Sequence, residues 1–233
     1  MIHCHFSGQT DSNKNYKVTG KTDTPLNDTG LQQAESIGQI LKEIGFDQAY
    51  SSDLSRAKTT CQKILDANKS DIQMQENELI REKSFGQAEE MHYIQFVYLT
   101  IIRNQAWPLN YVPKGGESQD DLRHRAKLFI QDVLCKNASF TQDKPLQVLM
   151  VSHGEFLRHF FYVLIHDFQC SFTRIERQVF LKSILAPNTS WCQVEITLDS
   201  NWILNYNHVI QNVRCLKTWN FCEYLKCHSC NIL

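Results

Sequence analysis

An apolar run that ends in a histidine constrains the fold of this chain more than any other feature. Residues 148–151 are consecutive apolar residues, Ser152, His153 and Gly154 follow, and a helical pattern begins at Glu155. A continuous apolar run predicts a strand that is buried on both faces, as in a parallel sheet. In open α/β sheets, ligands bind at the carboxyl ends of the strands. The segment therefore predicts such a sheet, with His153 either in a ligand site or as a simple strand cap.

Strand and helix patterns alternate along the chain. The predicted strands are Ile2–Phe6, Gln48–Tyr50, a strand at Val148 and Trp191–Leu198. The predicted helices are Thr29–Ile44, Asp53–Ala67, Glu89–Asn104, Glu117–Lys136 and a helix from Glu155. This order predicts a single α/β domain with a mostly parallel sheet. We expect the domain to span residues 1–210 and a divergent, Cys-rich tail to follow at 211–233.

The composition excludes several classes of protein. Of the 233 residues, 42% are hydrophobic and 21% charged, which is ordinary for a globular domain. A net charge of −1 favours neither nucleic acid nor an anionic membrane as a partner. No apolar run approaches the roughly 20 residues that span a bilayer, and the first residues lack the apolar core of a secretion signal. We expect a cytoplasmic protein with no membrane span and no nucleic-acid partner.

The cysteines indicate a reducing compartment. There are nine of them, an odd number scattered from Cys4 to Cys230, which favours free thiols over a disulfide framework. Cys222, Cys227 and His228 crowd the tail, but a second close pair of zinc ligands is missing. We therefore expect no metal and no other cofactor.

Polar clusters follow the predicted strands or begin the helices. They are residues 7–13 (SGQTDSN), 51–57 (SSDLSRA), 79–86 (LIREKSFG), 115–118 (GGES), 152–154 (SHG) and 187–190 (PNTS). In this order they resemble the motifs of the histidine phosphatase superfamily, also called phosphoglycerate mutase-like. Residues 22–30 and 167–171 are most similar to the TIGAR-type fructose-2,6-bisphosphatases within it. The resemblance implies a three-layer α/β/α domain.

The resemblance also implies a chemistry. In this family a histidine attacks a phosphate ester and becomes phosphohistidine, while a carboxylic acid protonates the leaving alkoxide. Glu82 matches the proton donor, His153 the second histidine that donates a hydrogen bond to the phosphoryl group, and Arg56 the phosphate-pocket arginine. The matching substrate-binding residues that remain are Asn13, Gly20 and Gly154. The expected ligand is a small phosphorylated sugar or glycerate, and the oligomeric state is left open.

The first motif departs from the family pattern, which is Arg-His-Gly-Glu-Thr, two variable residues and Asn. Phe6 occupies the arginine position, Ser7 the nucleophile position and Gln9 the glutamate position. A serine hydroxyl has no built-in base, and Phe6 removes a positive charge from the phosphate site. His5 points to the same face of the strand as Ser7 but lies about 6–7 Å away, too far to attack in its place.

Two explanations of this departure are open. The chain is a degenerate phosphatase that still binds phosphorylated ligands, or its first residues come from an alternative start or transcript of an active gene. The leading hypothesis of function is a sugar-phosphate phosphatase, fructose-2,6-bisphosphatase-like, with a degenerate nucleophile position. The alternative is a non-catalytic phospholigand-binding protein, which has no need of the proton donor Glu82. The third hypothesis is a mutase, which transfers phosphate between positions of its substrate.

Overall fold

The computed structural model describes residues 1–68, 71–103, 111–135, 146–168, 191–198 and 210–217. Its strands are β1 (Ile2–Phe6), β2 (Gln48–Ser51), β3 (Met74–Glu76), β4 (Val148–Ser152), β5 (Trp191–Leu198) and β6 (Ile210–Lys217). Its α-helices are α1 (Asp11–Lys14), α2 (Asp28–Leu41), α3 (Ser55–Asn68), α4 (Tyr93–Tyr98), α5 (Gln119–Leu128) and α6 (Gly154–His166). Short 3-10 helices span Glu78–Ile80 and Gly86–Ala88, and π-helical turns extend α4 and α5 over Leu99–Arg103 and Phe129–Cys135.

The strands form one mixed sheet in the order β3-β2-β4-β1-β5-β6. Strands β3, β2, β4 and β1 run parallel to their neighbours, whereas β5 and β6 are antiparallel additions at one edge. The prediction of a single α/β domain with a mostly parallel sheet is confirmed.

Helices cover both faces of this sheet. Along β4, Val148 and Met150 pack into a core with residues of α5 and α6, whereas Leu149 and Val151 pack into a second core with residues of α2 and α3. Alternate side chains of one strand thus enter different apolar layers. Burial on both faces is the reason that β4 has a continuous apolar sequence.

Three helix starts were predicted too early. Ser55 begins the helix expected from Asp53, Tyr93 the helix expected from Glu89, and Gln119 the helix expected from Glu117. Ser118 caps α5 because its side chain accepts a hydrogen bond from the backbone N–H of Asp121. Glu89 and Glu117, which precede α4 and α5, instead accept hydrogen bonds from the backbone N–H groups of other loops.

Two strands were not expected from the sequence. β3 is short and pairs with β2, and β6 pairs with β5 in an antiparallel arrangement. Since β6 begins at Ile210, the first residues of the expected tail lie in the sheet. Residues 187–190 and 218–233, which include the cysteines of the tail cluster, lie outside the described residues. In the described part of the chain, no helix is long and apolar enough to cross a membrane.

Candidate active site

The first and fifth polar clusters meet at the carboxyl ends of β1 and β4. Phe6 lies opposite Ser152 in the parallel register, and the backbone N–H of Ser7 donates to the carbonyl of Ser152 at 3.1 Å. Ser7 and His153 are therefore the next residues along two adjacent strands. In the sheet, β4 and β1 are neighbours. The strand that follows β1 in the chain, β2, lies beside β4, and the strand that follows β4, β5, lies beside β1, so the strand order reverses between β4 and β1. Ligands of α/β folds bind at such a reversal of strand order.

His153 is a buried histidine at the start of α6. Its backbone is extended, with φ −135° and ψ 167°, and it is 3% exposed. Within the described residues, its Nε2 has no hydrogen-bond partner. Burial, with the positive charges of Arg56 and Arg125, holds the pKa of His153 well below its usual value. The imidazole is therefore neutral and has one N–H to donate.

Glu82 lies against the first turn of α6. Its Oε1 accepts hydrogen bonds from the backbone N–H groups of Lys83 (2.9 Å), Glu155 (3.0 Å) and Phe156 (3.3 Å). Burial, with the negative charge of Glu155, raises the pKa of Glu82 to about 7, although the backbone hydrogen bonds and Arg56 act in the opposite direction. A carboxyl group of this kind can hold a proton near neutral pH, as a general acid requires.

Arg56 extends from α3 and is 3% exposed. Its Nη1 donates to the carbonyl of Thr22 at 2.9 Å and its Nη2 to the carbonyl of Gly20 at 2.8 Å. A guanidinium has five N–H donors, so further donors remain for an anion. Burial lowers the pKa of Arg56, but an arginine stays charged at neutral pH.

Gly20 and Glu89 fix the loop that holds Arg56. Gly20 has φ +54°, and a β-carbon there would lie 2.4 Å from Oε1 of Glu89. That carboxylate accepts from the backbone N–H groups of Lys21 (3.1 Å) and Thr22 (2.8 Å) and from the Thr22 hydroxyl (2.6 Å). The prediction that a helix begins at Glu89 was wrong, because α4 begins at Tyr93. The contacts of Glu89 are long-range, and sequence periodicity carries no information about them.

Asn13 and Gly154 are the two substrate-binding matches that remain. Asn13 is exposed, and its Oδ1 accepts from the backbone N–H and hydroxyl of Thr10, at 3.2 and 3.0 Å, which caps α1. Its Nδ2 faces the Thr19 hydroxyl at 3.5 Å. A β-carbon on Gly154 would lie 3.8 Å from both Oε2 of Glu82 and the ring of Phe6. Gly154 therefore lies close to both side chains.

The substituted residues of the first motif each have a place in the fold. Phe6 is 6% exposed and belongs to the apolar core under α6, and Ser7 is 8% exposed. Gln9 accepts a hydrogen bond from Nδ2 of Asn27 at 3.1 Å. His3 and His5 have no exposed surface, so neither opens toward a ligand at the strand ends.

Glu117 orients the loop that carries Glu82. Its Oε2 accepts from the backbone N–H of Ser84 at 2.8 Å, and both its oxygens accept from Arg125. Arg125 in turn donates to the carbonyl of Glu82 at 3.3 Å. These contacts are those of a residue that orients a loop.

The Glu82→Gln variant is expected to remove a pH-dependent loss of stability. Because folding raises the pKa of Glu82 from 4.5 to about 7, the folded chain binds the proton more tightly than the unfolded chain. Wild-type stability therefore falls as the pH rises through this range, by on the order of 1–3 kcal/mol, and an amide has no such dependence. The measurement is thermal unfolding at about pH 5 and pH 8, with the exposed Glu78→Gln as control. A constant difference between wild type and Glu82→Gln at both pH values would contradict the assignment.

Comparisons of the sequence with known proteins found a matching family and several relatives. The model of the histidine phosphatase superfamily (branch 1) matches residues 4–209. Fructose-2,6-bisphosphatase TIGAR B of Danio rerio is 32% identical over 190 residues, which cover 70% of this chain and 74% of the relative. Fructose-2,6-bisphosphatase TIGAR of Bos taurus is 28% identical over 225 residues, which cover 78% and 82%.

A solved structure shows the same fold. A mycobacterial glucosyl-3-phosphoglycerate phosphatase in complex with VO3 superposes with a TM-score of 0.72 at 21% identity, over 93% of this chain and 97% of that chain. The fold is therefore phosphoglycerate mutase-like. With the family model matching most of its length and a relative above 30% identity, the chain belongs to the histidine phosphatase superfamily.

Proposed function

We propose that this chain carries the site of a histidine-type sugar-phosphate phosphatase and binds a small phosphorylated sugar or glycerate, with fructose 2,6-bisphosphate as the first candidate. The observation that carries the proposal is the convergence of Arg56, Glu82 and His153 around the ends of β1 and β4. The names of the relatives, fructose-2,6-bisphosphatases, support the choice of ligand.

Each of these side chains has a role in this proposal. The free N–H groups of Arg56 and the N–H of His153 donate to the phosphoryl oxygens and stabilise their negative charge. Glu82, protonated, donates to the oxygen of the leaving alkoxide. Gly20 acts through Arg56, because its carbonyl accepts a hydrogen bond from Nη2 of Arg56. Asn13 provides an amide beside the loop after β1.

Ser7 limits the phosphoryl-transfer step. Its hydroxyl stands where the family places an imidazole, and it has neither the basicity nor the nucleophilicity of that ring. We therefore expect the wild-type chain to bind its ligand and to release phosphate slowly. Substantial release of phosphate that persists in Ser7→Ala but is lost in His153→Ala would overturn the assignment of Ser7 to the nucleophile position.

A non-catalytic phospholigand-binding role is the second candidate. The burial of Phe6 in the apolar core favours it, because this position no longer supplies positive charge to the phosphate. Binding without detectable turnover, in the wild type and in the repaired variant described in the Discussion, would favour this role. We also propose a cytoplasmic location, which the free thiols of Cys4 and Cys61 support.

The Arg56→Met variant is expected to bind fructose 2,6-bisphosphate at least about 10-fold more weakly than the wild type, because a charge-assisted contact to the phosphate is lost. Isothermal titration calorimetry measures the affinity, and Arg56→Lys separates loss of charge from loss of the planar fork. The matched control is Lys58→Met on the same helix, since Lys58 is partly exposed and pairs with Glu76 at 3.4 Å. Unchanged affinity in both Arg56 variants, with intact thermal unfolding, would contradict the proposed site.

A further inference from the structure

Two loops of the candidate site share the carboxylate of Glu89. One loop, residues 20–22, holds Arg56, and the other, residues 83–85, follows Glu82. The groups that donate to this carboxylate are the backbone N–H groups of Lys21, Thr22 and Phe85 and the hydroxyls of Thr22 and Ser84. A carboxylate has only acceptor sites, so it matches a set that consists of donors.

A single peptide group connects Glu89 to Arg56. Its N–H, on Lys21, donates to Oε1 of Glu89 at 3.1 Å, and its carbonyl, on Gly20, accepts from Nη2 of Arg56 at 2.8 Å. Hydrogen bonds in such a chain polarise one another, so the carboxylate on the N–H makes the carbonyl a stronger acceptor. Gly20 permits this arrangement, because its φ of +54° is left-handed and a β-carbon there would meet the same Oε1.

This indirect contact keeps Arg56 open to an anion. Its guanidinium donates to the carbonyls of Gly20 and Thr22, which carry no net charge. A carboxylate bonded directly to the guanidinium would occupy the fork of N–H groups that a phosphate needs. Glu89 restrains the loop through its peptide groups instead, so it can fix the guanidinium without competing with the ligand.

The backbone turns sharply after Glu89. Glu90 has φ +64°, a left-handed conformation that residues other than glycine rarely adopt. Its carboxylate faces another loop, where it accepts from the Ser12 hydroxyl at 3.2 Å and from Nζ of Lys17 at 3.1 Å. The two consecutive carboxylates thus serve different loops, and strained backbone of this kind persists where the surrounding structure holds it.

We propose that Glu89 is a positioning residue, which holds the guanidinium of Arg56 in place and ties it to the loop that follows Glu82. The inference rests on the proposed function, because these two side chains need a fixed separation only where one binds a phosphoryl group and the other protonates its leaving oxygen. A glutamine at position 89 keeps the shape of the side chain but replaces one acceptor oxygen with an NH2 group. Both oxygens of Glu89 accept from backbone N–H groups, so the NH2 group would face a donor in either orientation.

The first test is nitrogen-15 NMR of the arginine side chains in ligand-free protein, with the Arg56 resonance assigned by its loss in Arg56→Lys. Glu89→Gln is expected to speed rotation of the Arg56 guanidinium about its Nε–Cζ bond at least about threefold, because the carbonyls that hold it are less firmly fixed. Thr22→Val removes the hydroxyl that donates to Glu89 at 2.6 Å and is expected to act in the same direction by less. Rotation at the wild-type rate in Glu89→Gln would overturn the inference, and Thr22→Val decides in its place if Glu89→Gln does not fold.

The matched control is Glu90→Gln, which makes the same change in the adjacent side chain, whose partners are on another loop. A second control, Ile37→Val, lowers stability in the core beside α2, where Ile37 is 4% exposed. Both controls are expected to leave the rotation of the Arg56 guanidinium unchanged. Equally fast rotation in Ile37→Val and Glu89→Gln would show a loss of general stability and would contradict a positioning role.

Calorimetric titration with orthovanadate tests whether Glu89 acts through Arg56. Glu89→Gln is expected to weaken vanadate binding about tenfold in the wild-type chain and to have little further effect in a chain that carries Arg56→Met, since residues that act as one unit are not additive. Equal losses in the two backgrounds would contradict action through Arg56. A wild-type chain that binds no vanadate would count against the proposed function, whereas the NMR measurement, which needs no ligand, still decides the role of Glu89.

Discussion

The triple variant Phe6→Arg/Ser7→His/Gln9→Glu is expected to release phosphate from fructose 2,6-bisphosphate at least roughly 1,000-fold faster than the wild-type chain. The register of β1 and β4 places residue 7 next to His153, so an imidazole there completes a pair of histidines at the strand ends. Arg56 and Glu82 are already in place around this point. The repair therefore adds the attacking group to a site that has its other parts.

The three changes differ in how well the fold accepts them. Glu at position 9 keeps an oxygen acceptor for Asn27, and position 7 lies at the end of its strand. Position 6 is harder, because Phe6 is 6% exposed and packs in an apolar core. An arginine there is tolerated only if its charge is compensated, and Glu82 is an acid close by, since both its carboxylate and the ring of Phe6 lie near Gly154. We therefore expect Ser7→His to give part of the activity alone and Phe6→Arg alone to lower stability.

Phosphate release over time, with the sugar product identified, measures this prediction. In the triple variant, a further His153→Ala or Glu82→Gln change is expected to remove most of the gain. Transfer of phosphate between substrate positions, without free phosphate, would indicate a mutase. Equal turnover by the wild type and the repaired chain would contradict the role assigned to Ser7.

The end of β4 was predictable from the sequence because one physical cause acts on neighbouring residues. Burial on both faces demands a continuous apolar run, and the run stops where the strand reaches the ligand edge. The positions of Arg56, Glu82 and His153 followed from the order of their motifs. Local pattern thus predicted four of the six described strands, and the resemblance of the motifs indicated three side chains of the candidate site.

The partners of those side chains were not predictable in this way. Glu89 binds the backbone of Lys21 and Thr22, and Glu155 meets Glu82 from another element. Periodicity indicates which face of a helix a residue occupies, but not which distant segment lies across from it. Glu155 stands in the first turn of α6, where acidic residues are common for local reasons. The long-range contacts of Glu89 and Glu155 became visible only with the fold.

The Gly30→Ala variant is expected to destabilise the fold by about 3–5 kcal/mol, which is far more than an exchange of glycine for alanine in an open helix position costs. Gly30 lies in the first turn of α2, where the loop after β1 packs against it. A β-carbon at this position would lie 2.1 Å from the carbonyl oxygen of Gln9 and 2.9 Å from its nitrogen. The backbone of Gln9 therefore occupies the space that a methyl group on residue 30 needs.

Neither backbone can retreat without losing hydrogen bonds. The carbonyl of Gln9 accepts from the backbone N–H of Asn27 at 3.0 Å, and the N–H of Gly30 donates to the Asn27 side chain at 2.9 Å. On the other side, the N–H of Gly8 donates to the Thr60 hydroxyl at 3.0 Å. Separation of the loop from α2 would leave these groups unpaired, at about 1–3 kcal/mol for each buried one. The same displacement would move Ser7 away from His153.

Urea unfolding measures the stability change, and calorimetric titration with orthovanadate measures the effect on the candidate site. The matched control is Gly45→Ala, because a β-carbon on Gly45 would meet no atom within 4 Å. This control is expected to change stability by less than about 0.5 kcal/mol and to leave vanadate affinity unaltered. Gly30→Ala should lose vanadate affinity even under conditions where it remains folded, since the loop that carries Ser7 is displaced from its strand-end neighbours. Equal stability of Gly30→Ala and Gly45→Ala would contradict the close contact between Gly30 of α2 and the backbone of Gln9.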